Sequence, residues 1–206
     1  MFEIKKFDSI NGVEGMSERL MGEHYKLYEG YVKKANEIVE KLKTVDLSTA
    51  NATQSDLRAL KMGYSFAVGA IKSHELYFTN LSGLAAGSAK QPDGWLGQQI
   101  EKHFGSFENW QADIKATGIA ARGWAWLAFD WQNGTLFNYL GDAHDAFPVW
   151  HATPLVALDV YEHAYMIDYG VSRADYIETF FKNLNWTEAE KLASSVGMDK
   201  WNNTQS

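Results

Sequence analysis

The chain has 206 residues, 26 acidic against 19 Lys and Arg, a formal net charge of −7, six His and no Cys. Without cysteine there is no disulfide scaffold, thiolate nucleophile, cysteine-held zinc or iron–sulfur cluster, so any metal is left to nitrogen and oxygen donors. At 46% hydrophobic and 22% charged the chain is too apolar for disorder, and it has no long apolar run; its basic residues cluster only in pairs such as Lys33-Lys34. A globular protein with no membrane span and no broad nucleic-acid surface is expected.

The opening MFEIKKFDSINGVEGMSERL has neither an apolar core nor a small-residue cleavage site. No signal peptide, and hence a cytoplasmic protein, is the expectation. Ser17 reads as an N-cap, and Leu20, Leu27, Tyr31, Ala35 and Ile38 keep the spacing of an amphipathic helix running to about Leu42. After the breaker TVDLSTANATQSD, a second helix is predicted from near Ser55 to about Leu81, carrying Leu60, Tyr64, Phe66, Ala70, Tyr77 and Phe78. The Gly-, Ser- and Ala-rich stretch SGLAAGSAKQPDG reads as a boundary, giving a helical hairpin domain over 1–86 and a second domain over 87–206.

Two shorter helices are predicted from Gly94 to Phe104 and from Ser106 to Ala120. Next come the aromatic runs GWAWLAFDW and TLFNYLGD, separated by Gln132-Asn133-Gly134, a strong hairpin signal, and a third short strand over Thr153 to Leu158. The tail returns to helices: one from about Val160, one from Ser172 to Lys182, and one opened by a capping box at Thr187-Glu188-Ala189-Glu190. The fold class is α+β: a long N-terminal antiparallel helical hairpin, then an α/β part with a three-stranded antiparallel sheet.

Three histidines fall on apolar faces. His24 lies four after Leu20 and three before Leu27, and His74 four after Ala70; His163 follows Asp159 by four, so a helix starting there would project both side chains from one face. Singly, each reads as a core histidine. Together, three imidazoles and a carboxylate, each expensive to bury alone, offset that cost by coordinating one cation. The donor set suits Fe, Mn, Zn or Cu.

Several segments carry a resemblance. LDVYEHAYMIDYG is similar to a ligand motif usually written DVWEHAYY, HFGSFENW and GWAWLAFD to FGSF and GWAWL blocks, and HYKLYEGYV and SHELYFTNL to the regions around two ligand histidines. All belong, in this order, to the iron/manganese superoxide dismutase family, which the chain resembles over nearly its whole length. The resemblance implies His24, His74, Asp159 and His163 as the four protein ligands of one Fe or Mn ion per subunit, with iron slightly preferred, and superoxide as substrate. It makes Tyr31 the gateway tyrosine, Trp124 an aromatic wall of the pocket, and Glu162 the carboxylate that reaches the ligand histidine of a second subunit in a homodimer, or in a tetramer built from such dimers.

Departures from the family pattern are informative. Tyr31 follows His24 by seven residues where the family commonly has eight; seven returns the side chains to one helix face, so an unbulged first helix is predicted. Tyr28 stands where many members have a histidine. Ala70 occupies the helix position of a solvent-binding glutamine and cannot donate, so the resemblance assigns that role to His144, fifteen residues before Asp159. Tyr161 and Met166 replace a tryptophan and a tyrosine of the motif, and the proline-rich PYxxxALEP entry is missing. Lys26, Lys33 and Arg173 are candidates for local positive charge. Two other readings fit the ligand types: a mononuclear zinc hydrolase, and a dimeric protein whose metal is purely structural.

Overall fold

The computed structural model describes residues 1–83, 91–146 and 148–201. Helix α1 (Glu18–Leu42) begins where Ser17 Oγ accepts the Leu20 N–H at 3.0 Å, and α2 (Asp56–Asn80) begins in the same way at Ser55. They pair antiparallel: Ile38 lies by Gly63, Tyr31 by Phe66, and His24 by Phe78. Helix α1 runs through Tyr31 without a π turn, as the spacing predicts.

Leu27 and Phe66, both expected on apolar faces, are exposed by 40% and 37%, and the buried positions are Tyr28 and Ala67. From His24 either i+3 or i+4 can face inward. Tyr28 does so because Phe7 and Phe78 receive its ring at centroid distances of 5.8 and 6.0 Å.

Helices α3 (Trp95–Phe104) and α4 (Phe107–Ala120) meet at Gly105, whose φ of +83° closes α3 in a left-handed cap, and Ser106 caps α4. The sheet has order β2-β1-β3, all antiparallel: β1 (Trp124–Asp130), β2 (Thr135–Gly141) and β3 (Ala152–Asp159). The predicted hairpin forms, with a longer turn than a bare Asn-Gly pair needs: Asp130 pairs Thr135, and Gly134 at φ +66° returns its N–H to the Asp130 carbonyl. The register shift between β1 and β3 at Leu127/Ala128 frees Leu155 from ladder pairing. Asn80, the last residue of α2, covers this edge: its Nδ2–H donates to the Leu155 carbonyl and its Oδ1 accepts the Ala157 N–H.

The helix expected from Val160 does not start there. Val160 N–H bonds the Gly123 carbonyl, Asp159 Oδ1 accepts the Tyr161 N–H, and Tyr161 stays extended at ψ 151°. A 3-10 turn (Glu162–Ala164) and the single turn α5 (Met166–Tyr169) follow, then α6 (Arg173–Lys182) and α7 (Trp186–Ser195). Helix α7 opens under Asn185 and not at the Thr187 box, and Glu190 instead accepts the Leu96 N–H in the first turn of α3. The boundary expected at 86/87 lies outside the described residues. No helix among the described residues is long and apolar enough to cross a membrane.

Because Asn80 ties α2 to β3, Asn80→Leu should lower stability by about 2–4 kcal/mol, the penalty of a buried N–H and C=O left unpaired, read as a shift of the urea midpoint. An unchanged midpoint would mean that β3 is held to α2 by other contacts.

Candidate metal centre

Four elements deliver one side chain each to a single point. α1 presents His24, α2 presents His74, β3 ends on Asp159, and the 3-10 turn carries His163. Asp159 Oδ2 lies 3.1 Å from His24 Nε2, 3.2 Å from His163 Nε2 and 3.6 Å from His74 Nε2. The candidate ligand atoms all lie within 4.8 Å of one another. The i,i+4 convergence of Asp159 and His163 is achieved by a strand end and a turn, without a helix.

The donors fit a cation. His74 Nδ1–H donates to the Ala70 carbonyl at 2.7 Å, so its Nε2 bears a lone pair, and that atom has no hydrogen-bond partner. A buried lone pair aimed at a buried carboxylate oxygen is repulsive unless positive charge lies between them. His24 Nδ1 is likewise buried without a partner. Burial pushes His74 down to about 3 and lowers His24 against the pull of Asp159, so both imidazoles are neutral and available as donors. Burial alone would raise Asp159, but the charge of His163 and its hydrogen bonds with His163 and His24 hold it well below the usual carboxylate range. His163 is raised: burial lowers it, and Asp159 outweighs that.

Beside this cluster, Tyr31 Oη lies 3.1 Å from His144 Nε2, and its ring packs 5.6 Å from that of His74. His144 is 6% exposed and burial pushes it down to about 4, so it is neutral. Trp124 Nε1–H donates to His144 Nδ1 at 3.0 Å, which places the imidazole proton on Nε2, where it donates to Tyr31. The Tyr31 hydroxyl, raised by burial and by Asp159, keeps its own proton free to donate elsewhere. Trp124 also stands edge-on to His74 at 5.2 Å. Tyr161 stacks on His163 at 5.1 Å and 15°, so an aromatic is kept where the motif's tryptophan is lost.

Glu162 is exposed and lines a surface depression with Arg122, Tyr161, His163 and Arg173. Tyr28 is fully buried, its hydroxyl donating to Glu75 and accepting from Lys5 N–H, so it lies in the core. Lys26 and Lys33 pair with Glu23 and Glu29 of their own helix, while Arg173 donates to the Ala121 carbonyl beside the depression.

Sequence reasoning did not find the supports of Asp159. The Tyr176 hydroxyl, fully buried against that of Tyr77, donates to the Asp159 carbonyl at 2.7 Å, a contact no local pattern announces. The Tyr161 N–H bond to Oδ1 is an Asx turn, for which an Asp two residues ahead was the available signal.

A site of nitrogen and oxygen donors, set between a helical hairpin and the end of a three-stranded sheet, defines a mononuclear metalloprotein with aromatic walls. Comparison with known proteins gives the lineage. Residues 92–192 match the family described as iron/manganese superoxide dismutases, C-terminal domain. An iron superoxide dismutase of Aquifex aeolicus is 40% identical over 178 residues, covering 84% of this chain and 82% of the relative. One from Cupriavidus metallidurans is 37% identical, covering 88% and 91%, and a manganese superoxide dismutase of Halobacterium salinarum is 33% identical, covering 84% of each. The chain belongs to the iron/manganese superoxide dismutase family. This favours the redox reading over the hydrolase and structural-metal ones.

In the metal-free chain the attraction between raised His163 and Asp159 stabilises the fold below histidine's ordinary pKa of about 6.5 and is lost as pH rises through the elevated value. Metal binding needs the neutral imidazole. The gap in melting temperature between metal-loaded and metal-free protein should therefore widen as pH rises through this window. Thermal melts at a series of pH values would show it, and a constant gap would contradict the assignment.

Proposed function

We propose that this chain disproportionates superoxide at one iron or manganese ion held by His24, His74, Asp159 and His163. The observation that carries the reading is the lone pair of His74 Nε2, fixed by Ala70 and facing Asp159 Oδ2 with no hydrogen-bond partner. When bound, the metal supplies the reversible one-electron exchange that turns one superoxide into dioxygen and the next, with two protons, into hydrogen peroxide. Iron is favoured weakly, because relatives named for iron reach 40% identity.

The protein's own groups have distinct tasks. Trp124 fixes the tautomer of His144, His144 Nε2–H orients the Tyr31 hydroxyl, and that hydroxyl holds a proton at the mouth of the pocket. Trp124, Tyr161 and Phe66 restrict the space to small molecules and exclude water. Asp159 lowers the charge of the bound cation, and its Oδ1 stays fixed by Tyr161 N–H.

We also infer a cytoplasmic homodimer in which Glu162 reaches the His163 of a second copy. His163 keeps 22% of its side chain exposed, and Ile119 and Arg173 link its depression to a neighbouring one that includes the 90% exposed Val171. Two domains, a helical hairpin and an α/β part, meet at the site.

Protein loaded with iron or manganese should remove superoxide catalytically, and His74→Ala should lose both the ion and the activity. No turnover with either metal would overturn the reading. Sedimentation should give a dimer, which Val171→Asp shifts toward monomer; a monomeric unmodified chain would refute the role of Glu162.

A further inference from the structure

We propose that Gly69 is a positioning residue of the metal pocket: the bare backbone of α2 at this point lets the main chain of His144 lie on the helix and carry its imidazole to Tyr31. The inference rests on the dismutase reading for its kinetic consequence, and on geometry alone for the contact itself. A Cβ built on Gly69 would lie 2.8 Å from the His144 carbonyl carbon, closer still to its oxygen, and 3.5 Å from Asp145 N. All three are backbone atoms, with no flexible side-chain end to swing aside.

The His144 ring is pinned at both nitrogens, by Trp124 Nε1 at 3.0 Å and Tyr31 Oη at 3.1 Å. A loop forced back by roughly an ångström cannot keep both bonds, since a shift of that size added to 3.0 and 3.1 Å carries them beyond hydrogen-bond length. Phe66, one turn earlier on the same helix face, packs edge-on to the ring at 4.7 Å, so α2 addresses His144 twice, with an aromatic wall and with a gap. Ala70 follows and adds no long side chain. Glycine is a poor helix former, and at Gly30 of α1, where nothing lies within 4 Å of a built Cβ, alanine should simply improve the helix. Gly69 is where that gain is unavailable.

Gly69→Ala, His144→Ala, their combination and the control Gly30→Ala decide the matter, with three readouts: the reduction potential of iron-loaded protein, kcat against KM, and the indole N–H resonance of Trp124 in protein loaded with diamagnetic zinc. Gly69→Ala should keep one metal per chain, lower kcat about tenfold, and move the potential and the indole resonance in the same direction as His144→Ala. Added to His144→Ala it should move neither further. Gly30→Ala should raise the melting temperature and leave all three unchanged. Unmodified potential and resonance in Gly69→Ala, or equal shifts when His144 is already alanine, would overturn the proposal. Should Gly69→Ala alone not fold, the double variant must still fold, because an unpinned loop can retreat; its failure would overturn the proposal too. Absence of superoxide turnover in the unmodified chain would count against the dismutase reading and leave the indole comparison intact.

Discussion

A carboxylate and three imidazoles converge at a point where all but His163 are fully buried, and the rest of the molecule is arranged around that convergence. Burying a charged carboxylate costs several kcal/mol unless its field is answered. Asp159 is answered by its neighbours: the Nε2 atoms of His24 and His163 at 3.1 and 3.2 Å, an Asx-turn N–H on Oδ1, and a tyrosine hydroxyl on its backbone carbonyl. What these cannot answer is the lone pair of His74, and that residual mismatch is the part a cation resolves. The two longest helices, α1 and α2, cross this point and β3 ends on it, so the packing of hairpin on sheet and the site are one constraint.

Above the ligands lies a relay whose order is set by donors. Trp124 can only donate, so His144 Nδ1 must accept, and the proton left on Nε2 turns Tyr31 into the group facing outward. Each step follows from which atom carries hydrogen, and none needs a charged His144, whose burial keeps it neutral. The chain's acidic balance is unfavourable for an anion at long range, and Arg122 and Arg173 share the depression beside His163 with Glu162.

Much of the fold was legible because local chemistry wrote it. Ser17, Ser55 and Ser106 cap the helices they were expected to cap, and the aromatic runs around Gly134 form the hairpin. Where reading failed, a distant partner had decided. Leu27 and Tyr28 are equally placed with respect to His24, and only the pocket made by Phe7 and Phe78 chooses between them. Val160 belongs to a helical pattern but spends its N–H on Gly123, and Glu190 leaves its own helix to cap α3. At the site, four histidines, Asp159 and Tyr31 were visible as residues on faces or in motifs. The Trp124 bond to His144 and the closeness of Gly69 join positions far apart in sequence, which periodicity cannot see.

The account turns on three imidazoles and one carboxylate sharing a single ion. X-ray absorption at the metal edge of iron- or manganese-reconstituted protein measures that directly. The account predicts a shell of nitrogen and oxygen scatterers with three imidazoles, one of them lost in His74→Ala. A shell with fewer than three imidazoles, or one unaltered in His74→Ala, would contradict it.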